Sequence, residues 1–109
     1  MAAHWRSSDR KARVKMIDTS KTDKELSAHA EYAIKWFESH GFTGKLLRNN
    51  TAKVEFEVEK DGTVDTFRLT ATQQSPTKCN IKAYMEQFGK TFAMKQEIER
   101  LMKQKENQV

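Results

Sequence analysis

The segment "KVEFEVEKDGTVDTFRLTA", residues 53–71, alternates apolar and polar side chains on both sides of Asp61-Gly62. Alternation with a period of two is typical of β-strands that bury one face. Asp-Gly favours a two-residue hairpin turn, because both residues tolerate a positive φ. The turn predicts the cross-strand pairs Phe56 with Phe67, Val54 with Leu69, and Glu55 with Arg68.

The residues before this hairpin predict an amphipathic helix over about 23–40. "TDKE" has the form of a capping box, in which Thr22 caps the helix and Glu25 reaches back to it. Gly41 is expected to end the helix, with Phe42 contacting Phe37 in a Schellman motif. The predicted core face consists of Leu26, Ala30, Ala33, Ile34 and Phe37, with Trp36 at its margin.

Two further segments complete the predicted fold. "GKLLR" followed by Asn49-Asn50 indicates a first strand and a tight turn, which gives a three-stranded antiparallel meander. Ser75-Pro76 is expected to start a C-terminal helix, which Gly89 ends or bends. That helix has the core stripe Ile81, Tyr84, Met85 and Phe88, and a shifted stripe, Met94, Ile98, Leu101 and Met102, predicts a second helix or a kinked continuation.

These elements predict one α+β domain over residues 22–103. A flexible basic arm, residues 1–21, is expected before it and a frayed tail, residues 104–109, after it. The length of 109 residues fits one domain with a modest core. The longest apolar runs are too short for a signal peptide or a membrane span, so a cytoplasmic protein without membrane contact is expected.

Nearly all of the net charge of +5 lies in the arm. Residues 1–16 contain five basic residues and one acidic residue, a net charge of +4, whereas residues 17–109 contain fifteen and fourteen, a net charge of +1. A basic segment on a nearly neutral domain is typical of phosphate contact, because several cations together release counterions from a polyanion. The alternative is a solubilising leader that contacts nothing.

The charge pattern favours a non-enzymatic nucleic-acid-binding protein that contacts the backbone of DNA or RNA with weak sequence preference. Trp5 is a candidate stacking or docking group. The predicted nucleic-acid-binding residues are Trp5, Arg6, Arg10, Lys11, Arg13, Lys15, Lys21 and Lys24. Further candidates beside the arm are Lys45, Arg48, Lys78 and Lys82. The exposed sheet face is expected to present charged side chains and no aromatic platform for bases.

A protein-binding inhibitor or adaptor, of the kind that phages and other mobile elements encode, is the alternative function. Met94 and Met102 on the last helix would then serve as anchors. Steep weakening by salt would favour nucleic acid, and salt-tolerant capture of one protein would favour the alternative.

Residues that could support catalysis or bind a metal are few. His29 and His40 are three helical turns apart, too far to share a metal ion. Cys79 is the single cysteine and has no histidine marked as its base. The carboxylates of Glu55, Glu57 and Glu59 have the spacing of an exposed strand face. No enzyme activity, metal or cofactor is therefore predicted.

The order helix, meander, helix, most visible in "WFESHGFTGKLLRNNTAKVEFEVEKDGTVDTFRL" and continuing to "IKAYMEQFG", resembles the double-stranded RNA-binding-like fold of HicA-type toxins. Shared features are a Gly-Phe after the first helix, an Arg in the first strand and an Asp-Gly turn. The resemblance implies this topology and, as a third function, cleavage of messenger RNA. The active histidine of that family belongs near the start of the second strand, where residues 48–53 contain none.

Overall fold

Two helices lie on one face of a four-stranded sheet. The structure is a computed structural model that describes residues 16–20, 22 and 24–107. At residues 106 and 107 it describes only the backbone. The sheet order is β1-β2-β3-β4. The predicted α+β class is confirmed. The elements are β1 (Ile17–Asp18), α1 (Ala28–Ser39), β2 (Thr43–Asn49), β3 (Lys53–Lys60), β4 (Thr63–Thr70) and α2 (Ile81–Asn107).

The β3–β4 hairpin has the predicted register. Phe56 is opposite Phe67, and Glu55 is opposite Arg68. The turn residue Asp61 has a φ of 54° and Gly62 a φ of 86°, so both central residues are left-handed, as a type I′ turn requires. Because every second side chain of each strand points to the helices, this register decides which side chains form the core.

The sheet has one strand more than predicted. Ile17 and Asp18, which the sequence pattern placed in the arm, form β1 and pair in parallel with Gly44 and Lys45 of β2. The Gly44 N–H donates to the Met16 carbonyl at 2.8 Å. Ile17 is 1% exposed. A strand of two residues is too short to show alternation. Its parallel partner is distant in the chain, so no turn signal links the two strands.

Helix α1 begins five residues later than predicted. Ser27 is its N-cap and accepts from the Ala30 N–H at 3.2 Å, so the predicted capping box at Thr22 is wrong. The Asn49 side-chain amide donates to the Thr22 hydroxyl at 3.1 Å and to the Lys24 carbonyl at 3.0 Å. These bonds hold the preceding segment beside β2 and outside the helix.

The predicted end of α1 is confirmed. Gly41 has a φ of 84°, its N–H donates to the Glu38 carbonyl, and the Phe42 N–H donates to the Phe37 carbonyl at 2.9 Å. These two bonds define a Schellman motif. The ring centroids of Phe37 and Phe42 are 5.1 Å apart, so the hydrophobic contact of the motif also forms.

Helix α2 is continuous and begins later than predicted. Asn80, rather than Ser75-Pro76, caps it, since the Asn80 side-chain oxygen accepts from the Ala83 N–H at 3.2 Å. Gly89 does not end the helix, which extends to Asn107, into the segment predicted as a frayed tail. Residues 75–79 instead form a turn, in which the Cys79 N–H donates to the Ser75 carbonyl.

The core lies between the sheet and the two helices, and Phe37 is at its centre. The Phe37 ring makes edge-to-face contacts with Phe42, Phe67 and Phe88 at centroid distances of 5.1, 5.1 and 5.3 Å. The predicted core faces of both helices are confirmed. Fully buried side chains include Ala30, Ala33, Leu46, Val54, Phe56, Val58, Leu69, Met85 and Phe92.

Tyr84 joins α2 to the far edge of the sheet. Its hydroxyl donates to the Arg68 carbonyl of β4 at 3.0 Å. Burial raises the pKa of Tyr84 above its ordinary value, because the phenolate is less well solvated there. The neutral, donating form of the hydroxyl is therefore favoured, which maintains this link between helix and sheet.

We predict that Phe37→Ala destabilises the domain by about 3–5 kcal/mol, because it removes a buried ring and leaves a cavity. Urea unfolding measures the change. The matched control is Val64→Ala on the outer sheet face, where the side chain is 44% exposed, and a change within about 0.5 kcal/mol is expected there. Equal effects of the two substitutions would contradict the central position of Phe37.

Candidate functional site

Most of the predicted nucleic-acid-binding residues lie outside the described part of the chain. These are Trp5, Arg6, Arg10, Lys11, Arg13, Lys15 and Lys21. Lys24 is described and exposed, and its N–H donates to the Thr22 hydroxyl at 3.1 Å. The structure therefore shows where the arm joins the domain: the Ile17 N–H donates to the Glu38 carboxylate at 3.3 Å, close to the end of α1.

The outer sheet face is charged, as predicted, and its basic residues have acidic neighbours. Lys45 forms an ion pair with Glu57 at 3.7 Å, and Arg48 with Glu55 at 3.8 Å. Glu59 adds a further carboxylate to the same face. Lys45 and Arg48 were candidates for phosphate contact, but the neighbouring carboxylates offset their charge and would repel a polyanion.

A groove of about 690 Å³ lies on the opposite side of the molecule, between the helices. Helix α1 contributes Tyr32 and Trp36, and its C-cap contributes His40; the three recur at intervals of four residues and therefore share one face. Phe42 and Phe92 form an apolar floor. The volume lies in the range of about 300–1,000 Å³ that is usual for ligand sites.

Trp36 and His40 form a stacked pair on the α1 side of this groove. Their ring centroids are 3.9 Å apart and their planes are inclined by 21°. His40 Nδ1 lies 2.8 Å from the Trp36 carbonyl oxygen, which fixes the imidazole against the last turn of the helix. Since Trp36 is half-buried and His40 is exposed, the pair offers the groove a preformed aromatic surface.

Gly89 brings α2 close to this aromatic pair. A Cβ atom at Gly89 would lie 3.0 Å from Cη2 and 3.1 Å from Cζ2 of Trp36, closer than ordinary van der Waals contact. Glycine costs about 1 kcal/mol relative to alanine inside a helix. We conclude that the glycine leaves space for the indole. The sequence had predicted that the helix ends or bends at this position.

The rim of the groove is basic. It carries Lys60, Lys82 and Lys90 against the single carboxylate of Glu86, a net charge of +2. None of the ion pairs found within the described part of the chain involves these three lysines. The Lys60 ammonium lies 5.4 Å from the centre of the Phe42 ring, a cation–π distance.

His29 and Cys79 meet at the other end of α1. His29 is 8% exposed, and its Nε2 lies 3.0 Å from the Cys79 carbonyl oxygen. This bond ties the start of α1 to the turn before α2, a structural use of the histidine.

Among residues 16–20, 22 and 24–107 no group of histidine, cysteine or acidic side chains has the arrangement of a metal site.

The C-terminal half of α2 leaves four large apolar side chains exposed. Met94, Ile98, Leu101 and Met102 are 65%, 55%, 50% and 59% exposed. The helix extends for about 40 Å, at 1.5 Å per residue, and its Glu99 carboxylate accepts a hydrogen bond from the Thr63 hydroxyl at 2.9 Å. None of the helices in the described residues has the length and apolar character needed to cross a membrane.

No family model matches the chain, and neither the curated proteins nor the solved structures include a significantly similar one. The resemblance to HicA-type toxins therefore stays a prediction.

The sequence pattern missed the groove, although two signals for it were present. Tyr32, Trp36 and His40 recur every four residues, but Trp36 was assigned to the margin of the core face. Gly89 lies inside an otherwise regular helical stripe, where glycine often marks close packing. Neither signal indicated that Trp36 and Gly89 would meet, because these two residues are 53 positions apart in the chain.

We predict that Gly89→Leu destabilises the domain by about 1–3 kcal/mol, since the added side chain must displace the Trp36 indole. Urea unfolding measures the stability, and the emission maximum in a Trp5→Phe background, where Trp36 is the single tryptophan, measures the indole environment. Thr91→Leu, on the exposed side of the same helix, is the matched control and should change neither. An unchanged stability and emission for Gly89→Leu would contradict the close approach of helix and indole.

Proposed function

We propose that the protein is a non-enzymatic nucleic-acid-binding protein whose basic arm contacts the phosphate backbone. The observation that carries the proposal is the charge distribution: a net +4 within the first 16 residues, against +1 in the remaining 93. Contacts from such an arm would be directed mainly at phosphates, so affinity is expected to depend weakly on sequence and steeply on salt.

The geometry of the domain supports this proposal in two ways. The arm leaves the domain at a buried, hydrogen-bonded residue, Ile17, so its base has a defined position. The two faces of the domain also differ in charge. Carboxylates offset the basic residues of the outer sheet face, whereas three lysines without ion pairs among the described residues line the groove between the helices. A polyanion bound by the arm would therefore be directed toward the helices.

We predict that replacing Arg10, Lys11, Arg13 and Lys15 by Gln weakens binding and its salt dependence. Four lost phosphate contacts should reduce the slope of log K against log salt by about three units. Fluorescence anisotropy with labelled single-stranded and duplex DNA and RNA at several salt concentrations measures both quantities.

The matched control removes the same charge from exposed positions of the domain, by replacing Lys35, Arg68, Lys103 and Arg100 with Gln. This variant should retain most of the affinity. If the arm variant and the control lose affinity equally, only net charge matters and the arm has no specific role. If the folded wild-type protein binds none of the four ligands at low salt, the proposal is wrong.

A second candidate function, binding of a protein partner as an inhibitor or adaptor, is favoured by one observation. Met94, Ile98, Leu101 and Met102 form an exposed apolar stripe on the C-terminal half of α2. Flexible methionine side chains suit an interaction surface, because they adapt to the shape of a partner.

For this candidate we predict that Ile98→Ser with Leu101→Ser abolishes partner binding and changes the stability of the free protein by less than about 0.5 kcal/mol per substitution. Affinity capture, followed by titration of the purified partner, measures the binding. Val64→Ser, which changes a 44% exposed apolar residue on the outer sheet face, is the control. A partner that binds the stripe variant as tightly as the wild type would exclude the stripe as its docking surface.

A further inference from the structure

The groove between the helices combines two properties that together define a class of ligand. Its α1 side carries the stacked rings of Trp36 and His40, and its rim carries Lys60, Lys82 and Lys90. Flat rings attract the face of another flat, polarisable ring, and lysines attract anions. A nucleotide unit of a nucleic acid has both parts, a planar base and a phosphate, joined at short range.

The groove also lies beside the base of the arm. Met16, the first described residue, accepts from the Gly44 N–H at 2.8 Å. Phe42, only two residues before Gly44, lies in the floor of the groove, and Ile17 is hydrogen-bonded to Glu38, two residues before His40. A strand whose phosphates are held by the arm can therefore continue into the groove without crossing the outer sheet face.

From these observations we propose that the groove binds an unpaired base of a single-stranded nucleic acid, stacked against the Trp36–His40 pair, with the flanking phosphates near Lys60 and Lys90. This inference rests on the proposed nucleic-acid-binding function and adds strand selectivity to it. Stacking on aromatic side chains needs a base that is free of its own stack, so a duplex cannot use the groove. Every base has an aromatic face, so selectivity is for single strands and not for a sequence.

The acidic residue of the rim is consistent with this assignment. Glu86 is the one carboxylate among the residues that line the groove, and the three lysines leave a net charge of +2. A net charge of +2 can balance the negative charge of one or two phosphates. An acidic peptide could use the lysines but would leave the aromatic pair without a planar ligand.

The test uses the full chain with Trp5→Phe, so that Trp36 is the single remaining tryptophan. Anisotropy titration of the wild-type protein alongside it measures how much of the affinity Trp5 itself contributes. Titration with oligo(dT), oligo(U) and a DNA duplex of equal length measures affinity by anisotropy and stacking by quenching of Trp36 fluorescence. We expect both single strands to quench Trp36 and the duplex to bind through the arm without quenching. The comparison of oligo(dT) with oligo(U) shows whether the groove distinguishes DNA from RNA.

A groove variant, Lys60→Gln with Lys90→Gln, tests the phosphate contacts. Two lost contacts should lower the single-strand salt slope by about 1.4 units and remove the preference for single strands over the duplex. The control, Lys35→Gln with Lys103→Gln, removes the same charge at exposed positions away from the groove. Urea unfolding of all variants confirms that they are folded.

The outcomes separate this inference from the function on which it depends. Arm-dependent binding without quenching of Trp36, and with equal effects of the groove and control variants, would overturn the groove assignment and leave nucleic-acid binding intact. Absence of binding to all oligonucleotides would overturn both. Polyglutamate that quenches Trp36 as strongly as oligo(dT) does at equal charge concentration would show that the groove responds to negative charge alone, which also overturns the inference.

Discussion

The arrangement of the two helices on the sheet depends on the aromatic contacts of Phe37. Its ring touches Phe42 in the loop before β2, Phe67 in β4 and Phe88 in α2, each edge to face. This one side chain of α1 therefore contacts the loop that leads into β2, the edge strand β4 and the second helix. Because edge-to-face packing is directional, it sets the rotation of α1 about its own axis as well as its distance from the sheet.

That rotation decides the surface of the protein. Trp36 is the neighbour of Phe37 in a helix, where successive residues point about 100° apart, so placing Phe37 in the core directs Trp36 toward α2. Gly89 then leaves space for the indole, and His40 stacks on it. The groove is in this sense a consequence of how the core is packed, and its aromatic side is held in place by contacts that also stabilise the fold.

The same packing separates the charges of the domain into two faces. The outer face of the sheet pairs Lys45 and Arg48 with glutamates, so little net charge remains there. The helical side carries the lysines of the groove and lies beside the base of the arm. The C-terminal half of α2 carries an apolar stripe whose four side chains are half or more exposed. The molecule therefore offers a basic, aromatic surface and a separate apolar one, which suit different partners.

At the β3–β4 turn and at the end of α1, where the decisive interactions are local, the sequence alone determined the structure. The hairpin register follows from Asp61-Gly62 and its flanking alternation, and the end of α1 follows from Gly41 and the spacing of Phe37 and Phe42. The charge of the arm is likewise a property of the sequence. Only the tertiary structure decided where α1 begins. The sequence predicted a cap at Thr22, but the bonds from Asn49 hold that segment beside β2, and Ser27 caps the helix. Strand β1 and the groove are formed by residues distant in the chain, which no local pattern can bring together.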